Sequence, residues 1–218
     1  APPRHTIAAC IPMEKSAVKD WLIRKLLELQ KANPDDDAKV MANLHEMTLN
    51  WGVDTNFWPR ILAASGGNSE GVIRLLRETE LLFPRVAELM ALPEPQYEIQ
   101  AKQFFADCHK SPNPFISESV LGWEKARPRE FKAQAQLAMV HAAVEYKLHG
   151  ESGLKSVMDP FGNGPFSFQR FVFKGVDRGF ELKSAYAGAE APFVMIFVEK
   201  EGPAFQITGP DAGKAITQ

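Results

Sequence analysis

From Ser16 to about Gly150, apolar residues recur at helical spacing; after Gly150 the period falls to two. The change predicts an α+β chain with its helices first. Val18, Leu22, Leu26 and Leu29 form a first stripe, with Trp21 beside it and lysines and arginines on the remaining face. In "NPDDDAKVMANLHEM" a second helix is expected to start with Asn33 as cap, Pro34 in the first turn and Asp35–Asp37 against the positive end of the helix dipole. The helix start accounts for an acidic triplet that would otherwise suggest calcium or magnesium. "SGGNSEG" (65–71) closes one helix and opens the next, with Gly66 or Gly67 as C-cap and Asn68 or Ser69 as N-cap. The pattern Val72, Leu75, Leu76, Leu82, Phe83, Val86, Leu89 contains Pro84, which predicts a kink or break. Tyr97–Cys108 reads as a further helix. Residues 109–130 read as loop-rich, broken by Pro112, Pro114 and Pro128. The last helix is expected over Arg129–Leu148, with Leu137, Val140, Val144 and Leu148 as its apolar line and Ala133, Ala135, Ala138, Ala142 and Ala143 as small surfaces for close approach.

Four segments, 166–174, 179–186, 191–200 and 203–209, alternate as strands joined by short turns. They predict a C-terminal antiparallel four-stranded meander packed on the last long helix. Phe166 and Phe168 share one parity and Phe171 and Phe173 the other, so either both faces are covered or a bulge near Gln169–Arg170 switches the alternation. Phe193–Val198 is apolar throughout, as in a central strand buried on both sides. The expected organisation is a helical region, 1–128, and a helix-plus-sheet region, 129–209, packed as one globule, with 210–218 as a flexible tail.

Composition narrows the function. A chain of 218 residues with 45% hydrophobic and 24% charged residues has ordinary globular character. A net charge of −2 lacks the basic excess that nucleic-acid binding needs. "APFVMIFV" (191–198), the longest apolar run, is too short to span a bilayer as a helix. The chain starts "APPRHT" without an initiator Met, which leaves room for a removed signal peptide or a membrane anchor outside it. Cys10 and Cys108 are compatible with one disulfide or two free thiols, and Cys108, on the face of Tyr97 and Ala101, reads as a small buried thiol.

The sharpest local pattern is "DPFGNGPFSFQRF" (159–171). Asp159 can bond its own downstream backbone, Pro160 fixes φ, and Gly162 and Gly164 permit positive φ, so the chain turns tightly from helix into sheet. A phosphate-cradling loop is the functional rival, against which "GNG" lacks the Lys-Ser/Thr of a P-loop and GxGxxG spacing, and leads into a strand. A helix ending "AAVEYKLHGESGLKSV", then this corner, then "GFELKSAY", resembles the C-terminal part of type II secretion pseudopilins. It is more similar still to a group of large bacterial extracytoplasmic proteins, common in planctomycetes and verrucomicrobia, with an Asp-Pro-Phe-x-Gly-x-Pro corner. "RLLRETELLFPRVAELMALP" and "SPNPFISESVL" also look like theirs. The resemblance covers about residues 133–186. It implies a fold unit and an extracytoplasmic compartment, periplasm or cell surface. The long apolar assembly helix of pseudopilins has no counterpart here, and "AYAGAEAP" (185–192) offers only Glu190 where they often place calcium ligands.

Catalytic patterns are sparse. "GESG" (150–153) is a residue short of a nucleophile elbow, and "HEMTL" (45–49) has Leu49 where a zincin needs its second His. Cys108 and His109 are adjacent on a helix, so their side chains point apart. His141, Glu145 and His149, at i, i+4 and i+8, are the candidate metal row, against the reading that they are a polar flank of the apolar line. Trp51, Asp54, Asn56 and Trp58 are the candidate ligand groove, against the reading that tryptophans are buried between helices. The expected function is a non-enzymatic extracytoplasmic structural or interaction protein, with no cofactor. Its partners would be other proteins of a surface or secretion-related assembly, or copies of itself. The alternatives are a metal-assisted hydrolase using the His/Glu/His row, with His109 brought near, and a periplasmic ligand-binding module.

Overall fold

The computed structural model describes residues 7–51, 55–186 and 192–199, with backbone only for Val18 and Asn50. The chain divides into two compact units, 1–127 and 128–218. Its class is α+β: among the described residues, seven α-helices precede a long eighth, and a three-stranded antiparallel sheet follows.

The first unit holds α1 (Ile7–Glu14), a π-helical turn (Lys15–Asp20), α2 (Trp21–Ala32), α3 (Asp37–Thr48), a 3-10 turn (Leu49–Trp51), α4 (Phe57–Ser65), α5 (Ser69–Glu78), a 3-10 turn (Thr79–Leu81), α6 (Leu82–Ala91) and α7 (Glu94–His109). Leu22 and Leu26 of α2 meet Val40 and Leu44 of α3, Ile61 of α4 and Val72 of α5 in its core. The expected cap of α3 moves. Asn33 ends α2 instead, because Pro34 disfavours a helical residue before it. Asp36 is the true N-cap, accepting from Lys39 N at 3.0 Å. Asp37 caps a different helix: its carboxylate accepts from Ser69 N, at the start of α5, at 3.3 and 3.2 Å. The acidic triplet thus serves two helix starts. The 65–71 junction follows expectation, with Gly66 left-handed at φ 72° and Asn68 Oδ1 accepting from Gly71 N at 2.8 Å. The break foreseen at Pro84 appears upstream, as the 79–81 turn. Pro84 then sits third in α6, where an N–H would have no intrahelical acceptor.

One expectation fails over residues 109–130. Only 110–113 is loop; α8 runs unbroken from Pro114 to His149 with Pro128 inside it. Pro114 occupies the first helical position, and buried Asn113 accepts from Phe115 N at 3.0 Å while donating to Leu75 O at 2.8 Å. Pro128 forfeits only the bond to the carbonyl four residues back. Buried anchors lie close on both sides of it in Trp123 and Phe131.

The second unit comprises the rest of α8, α9 (Glu151–Ser156), β1 (Ser167–Phe173), β2 (Val176–Lys183) and β3 (Val194–Val198), in the order β1-β2-β3. Phe131, Ala135, Met139, Ala142 and Ala143 are the buried face of α8, and the last three join Phe166, Phe180 and Leu182 in one cluster. The expected line lies on the other side: Leu137, Val140, Val144 and Leu148 are 72, 44, 48 and 67% exposed. The half-buried positions of β1 change parity across Gln169–Arg170, from Phe168 to Phe171 and Phe173, while the register irregularity lies just beyond, between Phe171 and Val172, where β2 carries Arg178 as an extra residue. β2 is the central described strand, and Val194–Phe197 of β3 are half-buried instead of enclosed on both sides. The expected fourth strand, 203–209, and the tail, 210–218, lie outside the described residues.

Candidate functional site

The Asp-Pro corner is a closed hydrogen-bond lock. Asp159 is 5% exposed. Its carboxylate accepts from Phe161 N at 3.0 Å, from Ser184 Oγ at 2.9 and 3.0 Å, and from Ala185 N at 2.5 Å. Its own N–H donates to Gly164 O at 2.9 Å, and its carbonyl accepts from Gly162 N at 3.2 Å. Phe131, Phe161 and Tyr186 pack ring on ring beside it, and Tyr186 OH donates to Pro128 O at 3.2 Å. Pro160 stiffens the turn as expected, but neither Gly162 nor Gly164 adopts positive φ. With these N–H groups engaged internally, the corner positions the first strand and offers little to a ligand.

His141, Glu145 and His149 stand on the solvent side of α8. His149 Nδ1 lies 2.9 Å from Glu145 Oε2, and His141 Nε2 lies 3.7 Å from Glu145 Oε1. Two imidazoles therefore bracket one carboxylate along the helix. Among the described residues, no group of three or more His, Cys, Asp or Glu is gathered so as to hold a metal ion. His109 faces Glu124 Oε2 at 3.1 Å. Cys10 is an exposed thiol outside any disulfide, and Cys108 shares no disulfide with it. Cys108 is a buried thiol, and burial pushes it above the ordinary thiol range.

The tryptophan pair is separated. Trp58 stacks on His45 with ring centroids 4.6 Å apart, Asn56 is exposed, and Asp54 lies outside the described residues. Trp51 instead lines a cavity of about 220 Å³ in the helical unit, together with Phe57, Phe83, Phe115 and Trp123. Sequence reasoning missed the polar groups there. Lys19, read as part of a solvent face, is 5% exposed and lines the cavity. It lies in the π-helical turn, whose wider winding breaks the 3.6-residue spacing on which that reading depended. Its ammonium lies 3.3 Å from Asp20 and 3.5 Å from Glu80. Glu80 is held below the usual carboxylate range, first by the hydrogen bond from Lys15 and then by the charge of Lys19. Glu14 Oε2 accepts from Trp123 Nε1 at 2.6 Å, and Glu118 Oε1 accepts from Arg60 Nη1 at 2.8 Å. Trp51 and Trp123, two of the four tryptophans that the sequence offered as possible groove residues, were the readable signal for this site.

No family model matches the chain, and neither a curated protein nor a solved structure matches it.

Proposed function

We propose that this chain is a non-enzymatic extracytoplasmic interaction protein, a subunit of a surface or secretion-related assembly, which meets its partner through the outward face of α8. The observation that carries the reading is the exposed row Leu137, Val140, Val144 and Leu148. At 3.6 residues per turn the row lies diametrically opposite the buried Phe131–Ala135–Met139–Ala142 face, so it is a second apolar stripe on a helix that has already used its first. Burying such side chains yields about 1.5–3 kcal/mol each, enough for four in line to support a specific contact. The compartment follows from the resemblance of residues 133–186 to extracytoplasmic proteins. In the same reading, 203–209 adds a fourth antiparallel strand beside β3.

A photo-crosslinking residue at Val140 or Val144, introduced in the producing cell, tests it. A discrete adduct is expected from these positions, absent from a control at Lys155 of α9 and lost in a Leu137→Asp/Val144→Asp variant of unchanged circular dichroism. Cell fractionation should place the chain outside the cytoplasm. A cytoplasmic location, or equal labelling from the control position, would overturn the reading.

A further inference from the structure

The cavity of the helical unit has a chemistry unrelated to the α8 surface. A dry cavity of roughly 150 Å³ accommodates benzene. About 220 Å³ therefore suits one ring with a short chain, less than the usual drug-sized pocket. The buried walls are apolar and largely aromatic: Leu22, Leu76, Phe57, Phe83, Phe115 and Trp123. Glu14 and Ser119, both exposed, mark its mouth.

The charges at the cavity select the sign of a ligand. Lys15 and Lys19 are matched by Asp20 and Glu80. Arg60 matches Glu118. Among the described residues, Glu14 is met by a neutral donor, the Trp123 indole N–H. One negative charge is thus left over at the mouth, above ring faces that are themselves electron-rich. An incoming anion would confront Glu14 and Glu118, and would have to displace Asp20 or Glu80 to reach Lys19. An incoming cation meets a carboxylate and aromatic faces together.

We propose that this cavity binds a small organic amine, its flat apolar body among Trp51, Phe57, Phe115 and Trp123 and its ammonium at Glu14. The π-helical turn supports the assignment: it directly follows Glu14 and places Lys19 in the wall with its ammonium already paired to Asp20 and Glu80. The site uses residues of the helical unit alone, so its failure leaves the α8 reading standing.

The test uses the full chain and three phenylalkyl probes of similar size: 2-phenylethylammonium, neutral 2-phenylethanol and anionic phenylacetate. Binding is followed by calorimetry and by tryptophan fluorescence. The ammonium is expected to bind at one site with Kd on the order of 0.1–1 mM, as such small ligands allow, about tenfold tighter than either other probe. Glu14→Gln, at an exposed position where the fold is not at stake, should remove that tenfold advantage and leave 2-phenylethanol binding unchanged. Absence of saturable binding, equal binding of the alcohol, preference for the phenylacetate, or indifference to Glu14→Gln would each overturn the proposal.

Discussion

Asp159 shows how one side chain joins distant parts of a sequence. Its carboxylate takes a donor two residues on, in Phe161, and two more from Ser184 and Ala185 at the end of β2. Asp159→Ala leaves these donors unpaired in a buried site, at about 1–3 kcal/mol for each donor that water cannot reach. We expect a loss of about 3–4 kcal/mol in urea unfolding followed by circular dichroism. Ser184→Ala removes one donor and should cost about 1–2 kcal/mol. The two losses should fall short of additive, since both break the same network; strict additivity would show that the lock is not cooperative. The turn-forming role of Asp159 was readable, because Asp-Pro followed by glycines is local chemistry. Its partner Ser184, 25 residues away, was not. Cysteine chemistry divides as cleanly. Cys10 should react with a thiol reagent at once, and Cys108, buried and pushed up in pKa, only at the rate at which α7 opens. Two fast equivalents at neutral pH would contradict that.

At the scale of elements, α8 explains why periodicity identified a helix but chose the wrong face. The helix has two apolar stripes, one of large residues and one rich in alanine. Large residues read as core, yet the small stripe faces inward because the sheet supplies the bulk. The Phe180 ring lies 5.4 Å from Phe168 and 5.1 Å from Phe197, so the sheet brings aromatic bulk against Ala142 and Ala143, with Met139 and Tyr146 of α8 completing the layer. Which partner is bulky is a tertiary fact. The strands were read more securely, because alternation and turn residues are local. The β1–β2 connection is shorter than expected: the expected strands left 175–178 between them, whereas Lys174 and Gly175, with positive φ of 49° and 72°, form a two-residue hairpin turn of primed geometry. Asn tolerates that region where Lys is strained, so Lys174→Asn should stabilise the protein by about 0.5–1 kcal/mol. Gly179→Ala should do the reverse far more strongly. A Cβ there would lie 2.0 Å from the Phe197 carbonyl oxygen, so β2 and β3 would have to part. Hydrogen exchange should then lose protection across β3 while α3 and α5 keep theirs.

The whole molecule carries a net charge of −2 at pH 7, so long-range repulsion contributes little there, and it grows in acid as carboxylates are neutralised; placed carboxylates add a local response of their own. Two of them, one in each unit, are met by two lysine or arginine side chains. Glu80 receives Lys15 and Lys19 in the helical unit. Glu199, just past β3, receives Lys147 of α8 at 2.5 Å and Arg170 of β1 at 2.7 Å. Both carboxylates are held below their ordinary value of 4.5, Glu199 by the Lys147 hydrogen bond first and the Arg170 bond second. A depressed folded value fixes the sign. Above pH 4.5 the carboxylate is ionised in folded and unfolded chains alike, and the ion pairs contribute fully. As pH falls through the lower folded value the contribution disappears, so stability declines on the acid side. All four tryptophans, 21, 51, 58 and 123, lie in the helical unit, whereas Tyr146 and Tyr186 lie in the sheet unit, so the junctions can be followed separately. Glu80→Gln should flatten the acid dependence seen by tryptophan fluorescence, and Glu199→Gln that seen by tyrosine signals in nuclear magnetic resonance. Each variant should be less stable than the parent at pH 6 and converge with it near pH 3, by small amounts that shrink further in high salt because the pairs are solvent-accessible. Parallel curves for parent and variants from pH 6 to 3 would mean that other carboxylates govern acid unfolding, and that these junctions orient the elements without stabilising them.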